Sequence, residues 1–291
     1  MTSVDLVWYD VFTDRPFTGN PLAVIPDARG LDDVAMVRIA RELNLSETTF
    51  VLPPETPGTT HRVRIFTPTR ELAFAGHPTV GTAIALTELA GQHEADLVLG
   101  LGAGPTPVSV RPAADGTLRA GFVAPQLPRL RPAPVDVAAV AALIGIDVDD
   151  LDPALPLHLA DAGGTDFVVV QVRSLDVLAR CEPIGRLPEV VGVYAVAPED
   201  DGYRVRMFAP AVGVPEDPAT GSAACAFAGS LVAHVARFGS AGGHEVTLRQ
   251  GVEMGRPSEL MLSFDVAAGA PTQVRLAGGA VRALEGRITV A

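Results

Sequence analysis

Two short segments carry small and hydroxyl-bearing residues of the kind that begin a ligand-binding helix. They read GHPT at residues 76–79 and DPATGS at residues 217–222. Backbone N–H groups and the helix dipole favour a negative charge at a helix start, and glycine lets a ligand approach the backbone closely. We therefore expect Gly76, Gly221 and Ser222 to bind a carboxylate-bearing substrate. Taken alone, either segment is more often an ordinary capped helix.

Three ionisable side chains accompany these segments. His77 and Asp217 lie within them, and Glu47 occupies a short polar turn between Ser46 and Thr48. A carboxylate can take a proton from one carbon and return it to another, which is general acid–base catalysis. A lone glutamate is usually solvated, however, a lone histidine is usually structural, and an aspartate before a helix is usually an N-cap. The residue types alone leave these alternatives open.

The two segments belong to a longer internal repeat. RVRIFTP (residues 62–68) aligns with RVRMFAP (residues 204–210) at five of seven positions, and PTVGTA (residues 78–83) aligns with PATGSA (residues 218–223). Each copy reads as an alternating strand, a loop and an apolar helix. Two copies half a chain apart predict a duplicated domain. If the halves pack with pseudo-two-fold symmetry, both helix starts would face one cleft.

Hydrophobic periodicity predicts runs of strands interrupted by single helices. We predict helices near residues 31–43, 79–90, 137–144, 175–181 and 219–238, and the last strands at 273–277 and 281–290. This order is typical of an α+β fold. We expect two curved, mostly antiparallel sheets, each wrapped around a central helix.

A proline-rich stretch divides the chain of 291 residues. PQLPRLRPAP at residues 125–134 has the composition of a semi-extended linker. We therefore expect an N-terminal domain over residues 1–124, a linker over 125–135 and a C-terminal domain over 136–291, with the last strand able to cross over.

Composition excludes several classes of function. The net charge is −12 without any basic run, which argues against nucleic acid and anionic membranes as partners. All 22 basic residues are arginine, so mechanisms that need a catalytic lysine are excluded. The histidines lack the spacing typical of metal ligands. Two cysteines and no long apolar run favour a cytoplasmic protein. We expect no metal and no cofactor.

Four blocks make the chain recognisable. They read DVFTDRPFTGNPLAV (10–24), LNLSETTFV (43–51), RIFTPTRELAFAGHPTVGTA (64–83) and VPEDPATGSAA (214–224). Together they resemble the PhzF family, named for the phenazine-biosynthesis isomerase, which shares the diaminopimelate epimerase fold. The blocks lie in order and in both halves, so the resemblance covers essentially the whole chain.

The resemblance implies roles for the residues singled out above. It implies that Glu47 is the acid/base that moves a proton, and that His77 and Asp217 assist it. It also implies that Ser222 and Asn20 bind substrate, and that the protein is a homodimer. Racemases of the same fold place one thiol at each helix start, where this chain has Ala75 and the Asp217-Pro218 pair. A two-thiol mechanism is therefore disfavoured.

These observations predict a cofactor-independent isomerase of the PhzF type. Its substrate would be a small, cyclic, unsaturated amino or hydroxy carboxylic acid, in which Glu47 shifts a proton and the double bonds. The expected setting is secondary-metabolite biosynthesis. The alternatives are an epimerase, lyase or hydrolase acting on a related amino acid, or a catalytically silent ligand-binding protein of the same fold.

Overall fold

The chain folds into two units, which are described separately. The structure, a computed structural model, describes residues 2–163, 165–185 and 189–290. The first unit comprises Met1–Val123 and Ala277–Ala291, and the second comprises Ala124–Leu276. No helix within the described residues is both long enough and apolar enough to cross a membrane.

The first unit is a mixed sheet with two helices. Its elements are β1 (Thr2–Val11), β2 (Asn20–Ile25), α1 (Asp33–Leu43), β3 (Glu47–Leu52), β4 (His61–Phe66), β5 (Glu71–Leu72), α2 (Gly76–Leu89), β6 (Ala95–Leu101), β7 (Gly104–Pro112) and β8 (Leu118–Val123). Antiparallel pairs join β1 to β2, β3 to β4, β4 to β5, β6 to β7 and β7 to β8. Parallel pairs join β2 to β3 across α1, and β4 to β6 across α2.

Helix α2 is the core of the first unit. Eleven of its 14 residues are buried, and it packs against β1, β2, β3, β6, β7 and β8. A helix that is apolar on all sides must be surrounded by other elements. The sheet approaches it closely at Gly81, where an added Cβ would lie 2.6 Å from side-chain atoms of both Val11 and Leu22.

The second unit begins with a strand from the proline-rich stretch. Its elements are β9 (Arg129–Pro132), α3 (Val137–Leu143), β10 (His158–Asp161), β11 (Phe167–Gln171), α4 (Leu175–Arg180), β12 (Gly192–Glu199), β13 (Gly202–Ala209), β14 (Val214–Asp217), α5 (Gly221–His234), β15 (Gly242–Gln250) and β16 (Ser258–Ala267). Like α2, helix α5 has 14 residues, of which 11 are buried, and it packs against β9, β10, β11 and β16.

The second unit repeats the pairing pattern of the first. Antiparallel pairs join β10 to β11, β12 to β13, β13 to β14 and β15 to β16. Parallel pairs join β11 to β12 across α4, and β13 to β15 across α5. Each pair has a counterpart in the first unit with the same direction and the same place in the order. This repeated topology is what the internal sequence repeat predicts.

An arginine on the repeat strand makes the same ion pair in each unit. Arg64 donates two hydrogen bonds to the carboxylate of Glu71, and its guanidinium lies 5.0 Å from the centre of the Phe66 ring. Arg206 likewise donates two bonds of 2.8 Å to Glu216, on the strand that corresponds to β5. Bidentate pairs of this kind are among the stronger polar contacts in proteins.

Two boundaries differ from those predicted, and a third point concerns the predicted crossover of the last strand. The predicted linker is partly a strand, β9, which pairs with β10. The pairing satisfies backbone N–H and C=O groups that would otherwise lack partners. Residues 277–291 belong to the first unit, which is the crossover that the prediction allowed for the last strand. The two last predicted strands form one strand, β17 (Ala270–Val290), whose C-terminal part pairs with β1 from Ala280 to Val290.

The continuity of β17 has a packing reason. Gly278 and Gly279 read as a break between two strands. In the structure, an added Cβ at Gly278 would lie 2.2 Å from the Phe12 ring, and Phe12 N–H donates to the Gly279 carbonyl oxygen at 2.7 Å. Gly278 therefore makes room for an aromatic ring, and the two glycines do not end the strand.

Arg206→Met is expected to lower the free energy of unfolding by about 3–5 kcal/mol, because it leaves Glu216 as an unpaired charge in a mostly buried site. Arg206 also donates to the carbonyl oxygens of Leu178 at 2.9 Å and Cys181 at 2.7 Å. Urea unfolding followed by circular dichroism measures the change.

The matched control is Arg111→Met, which removes a surface pair with Asp96 whose side chains are 47% and 76% exposed. Exposed pairs contribute about 0–1 kcal/mol. Equal losses in the two variants would contradict a structural role for the buried pair.

Candidate active site

Glu47 is held at the start of β3 by its neighbours on both sides. The C-cap residue of helix α1 is Asn44, whose left-handed backbone (φ 50°) turns the chain toward the strand. The Ser46 hydroxyl then donates to Asn20 Oδ1 at 3.1 Å. In the parallel pair of β2 and β3, Glu47 is registered with Leu22. The carboxylate is therefore presented by the first residue of a paired strand.

His77 faces Glu47 from the first turn of α2. Its Nε2 lies 3.4 Å from Glu47 Oε2, and the two side chains are 6% and 15% exposed. Burial lowers the pKa of His77 to about 3, so the imidazole is neutral near pH 7. The contact is therefore not an ion pair. Its length exceeds that of an ordinary N–H···O hydrogen bond.

The first turn of α2 keeps backbone donors available beside this pair. Within the described part of the chain, no side chain caps the helix at its N-cap residue Ala75. The Thr79 hydroxyl points backwards and donates to the Ala75 carbonyl oxygen at 2.7 Å. The N–H groups of Gly76 and His77 come too early in the helix to have intrahelical acceptors. This end is suited to an anion such as a substrate carboxylate.

A second cluster surrounds Asp217 at the end of β14, in the second unit. The Thr220 hydroxyl donates to Asp217 Oδ2 at 2.5 Å. The buried Gln250 side chain donates through Nε2 to the Asp217 carbonyl oxygen at 2.7 Å and to Thr220 Oγ1 at 3.0 Å. Gln250 Oε1 accepts from Thr220 N–H at 3.1 Å. These bonds therefore hold the end of β14 and the residues that connect it to α5.

The start of α5 is also without a side-chain cap among the described residues. Thr220 is the N-cap residue, and a threonine hydroxyl there ordinarily accepts from a first-turn N–H. Here no such bond forms, because the hydroxyl is directed to Asp217. The N–H groups of Gly221 and Ser222 thus keep their capacity to bind a ligand.

The register of the strands shows that the two units differ where Glu47 stands. Thr48 pairs with Phe66 in the first unit, and Val193 pairs with Phe208 in the second. Since Phe66 and Phe208 are equivalent in the repeat, the counterpart of Glu47 is Gly192. An added Cβ at Gly192 would lie 3.2 Å from the Phe208 carbonyl oxygen. The duplicated framework therefore carries a carboxylate at this position in one copy only.

Both cysteines are buried thiols away from the helix starts. Burial raises the pKa of Cys181 to about 11 and that of Cys225 to about 12. Cys181 follows the end of α4, and Cys225 lies inside α5. A racemase thiol must reach the substrate as a thiolate. The position and protonation of these two disfavour that role.

The predicted site residues fall into two groups. Glu47, His77, Gly76 and Asn20 lie together in the first unit, whereas Asp217, Gly221 and Ser222 lie together in the second. Asp217 belongs to β14 rather than to the helix, and α5 begins at Gly221, two residues later than predicted. The catalytic and binding roles of all seven stay predictions.

Sequence reasoning missed two members of the second group. In the sequence, Thr220 reads only as part of a helix start, and nothing around Gln250 indicates a role. A glutamine at the end of an alternating strand is ordinary in sequence, so only comparison of the two copies could have drawn attention to it. No group of three potential metal ligands occurs among residues 2–163, 165–185 and 189–290.

The chain matches the family PhzC-PhzF, described as phenazine biosynthesis-like protein, over residues 9–286. It is 37% identical to a trans-2,3-dihydro-3-hydroxyanthranilate isomerase of Pseudomonas chlororaphis, over 97% of this chain and 98% of the other. It is 38% identical to an uncharacterized isomerase of Mesorhizobium japonicum, over the full length of both. A PhzF-family phenazine biosynthesis protein of Bacillus anthracis superposes with a TM-score of 0.90 at 28% identity, covering 100% of both chains.

Acid is expected to destabilise the protein through His77. The unfolded chain binds a proton at this residue below about pH 6.5, whereas the folded chain does so only near pH 3. Stability therefore falls as pH falls through this window. Between pH 7 and pH 5, the wild type should lose about 2 kcal/mol more than His77→Gln.

Urea unfolding at each pH measures this difference. The control His93→Gln changes an exposed histidine and should follow the wild type. Parallel pH profiles for the wild type and His77→Gln would show that His77 is not buried in its neutral form.

Proposed function

The chain belongs to the PhzC-PhzF family of phenazine biosynthesis-like proteins, and from that premise we propose that it is a cofactor-independent isomerase acting on a small carboxylic acid. Its relatives include isomerases, one of them named for trans-2,3-dihydro-3-hydroxyanthranilate. The proposed substrate is a cyclic, unsaturated amino or hydroxy acid of that kind. The reaction moves a proton between two carbons and shifts the double bonds.

The observation that carries this proposal is the pair formed by Glu47 and His77. Glu47 is partly exposed at a rigid strand end, so its carboxylate can meet a substrate carbon and act first as base and then as acid. His77 is neutral and therefore forms no ion pair with the carboxylate. Its imidazole can hydrogen-bond to Glu47 or to the substrate in either step, without being consumed as an acid.

The proposed binding groups are the uncapped helix starts. The N–H groups at Gly76 and at Gly221 and Ser222 would bind the substrate carboxylate or its ring substituents. Asp217 would assist proton transfer as a hydrogen-bond acceptor or donor. Asn20 would contact the substrate beside Glu47. Its Oδ1 accepts a hydrogen bond from the hydroxyl of Ser46, the residue before Glu47.

The wider setting is proposed from the family resemblance. We expect a cytoplasmic homodimer in secondary-metabolite biosynthesis, without nucleic acid, membrane or metal as a partner. Size-exclusion chromatography with light scattering would report the oligomeric state.

Glu47→Gln is expected to lower turnover of trans-2,3-dihydro-3-hydroxyanthranilate by about 10²–10⁴-fold, because the amide cannot carry the transferred proton. The assay is ¹H NMR of substrate and product in D₂O with EDTA present. The double variant Cys181→Ala/Cys225→Ala and the exposed-site control Glu42→Gln should keep most of the wild-type rate.

The product and the variants distinguish the alternatives. Exchange of one α-proton without a double-bond shift would indicate an epimerase, and loss of a substituent would indicate a lyase. Binding without turnover of any candidate acid would indicate a ligand-binding protein. Full activity in Glu47→Gln would overturn the proposed base, and sensitivity to EDTA would overturn the expectation of metal independence.

A further inference from the structure

Gln250 is a buried amide whose polar atoms are all directed at the loop before α5. Nε2 donates to the Asp217 carbonyl oxygen and to Thr220 Oγ1, and Oε1 accepts from Thr220 N–H. The side chain has no exposed surface. A buried amide is costly unless its donors and acceptor are bonded. Here all three bonds go to one loop, which therefore depends on this residue for its conformation.

The fold itself does not require a glutamine at this position. In the second unit Arg204 pairs with Arg249, so Gln250 is the next residue along β15. In the first unit the equivalent Arg62 pairs with Gly100, which makes Leu101 the counterpart of Gln250. Leu101 is buried at the same end of its strand. One copy of the framework thus folds with leucine where the other has a fully bonded amide.

The bonds of Gln250 determine what the Thr220 hydroxyl can do. Because Gln250 Nε2 donates a hydrogen bond to Thr220 Oγ1, the hydroxyl accepts on that side and donates its own hydrogen bond to Asp217 Oδ2. The same arrangement turns the hydroxyl away from the first-turn N–H groups of α5, which it would otherwise cap. The chain of bonds therefore orients a carboxylate and leaves a helix start uncapped.

We propose that Gln250 is a positioning residue for the reaction, acting through Thr220 on Asp217. The proposal rests on the proposed function, in which Asp217 assists proton transfer. Gln250 does not touch the substrate in this account. It holds the Asp217 carboxylate in one orientation, and misplacement of a catalytic group by about 1 Å can cost on the order of 10²-fold in rate.

The test compares steady-state kinetics of Gln250→Leu and Thr220→Val, which remove the donor and the hydroxyl with little change in volume. Each should lower kcat/KM by about 10- to 100-fold. Thr220→Ser keeps the hydroxyl and should retain a rate close to that of the wild type. The control Gln92→Leu changes an exposed glutamine and should have no effect.

A double-variant cycle separates positioning from a general structural role. In an Asp217→Asn background, Gln250→Leu should cost less than about two-fold, because the group that it positions is already absent. An equal loss in both backgrounds would overturn the proposal, as would wild-type kinetics in Gln250→Leu. If Gln250→Leu does not fold, Thr220→Val against Thr220→Ser decides in its place, and equal rates in those two would overturn it.

The tests of Gln250 can fail independently of the test of Glu47 as the base. An inactive Glu47→Gln together with a fully active Gln250→Leu would overturn only the positioning role. The reverse result would overturn Glu47 as base and leave Gln250 in place. If the wild type turns over no candidate acid, the same variants are compared by calorimetric binding of 3-hydroxyanthranilate, and unchanged affinity in Gln250→Leu and Thr220→Val would overturn the proposal.

Discussion

Each unit depends on the burial of one helix inside its sheet. Eleven of the 14 residues are buried in α2, and eleven of 14 are buried in α5. Strands must therefore cover both helices along most of their surface. The first-turn N–H groups of such a helix need partners, and neither helix has a side-chain cap among the described residues. The same burial brings polar residues to each helix start, because strand ends and connecting loops must meet there. Glu47 reaches α2 in this way, and Asp217 and Gln250 reach the loop before α5.

Burial also decides which side chains can exchange protons near neutral pH. It lowers the pKa of His77 to about 3 and raises those of Cys181 and Cys225 to about 11 and about 12. The histidine is therefore neutral and the thiols are protonated. The chain also has no lysine, so neither a thiolate, a lysine amine nor the His77 imidazolium is available beside Glu47 near neutral pH. The proposed acid/base role for Glu47 fits these protonation states.

The two copies keep the framework and differ in their chemistry. Arg64 and Arg206 make the same bidentate ion pairs, and the strands pair in the same order and direction. At equivalent register positions, however, Glu47 corresponds to Gly192, and Gln250 corresponds to Leu101. A duplicated fold can tolerate such changes because backbone pairing and helix burial, not these side chains, hold each sheet together. The polar residues present in only one copy are thus informative about function.

The sequence by itself determined the repeat, the α+β class, the central helices and the residues worth testing. Those features depend on local periodicity and on side-chain types, which can be identified directly from the sequence. Only the tertiary structure decided that residues 277–291 return to the first unit, that β9 is a strand and that Asp217 ends β14. It also decided that His77 is neutral beside Glu47, and that Gln250 holds the loop before α5. Strand pairing, burial and hydrogen bonds between distant residues are set by packing, which no local pattern records.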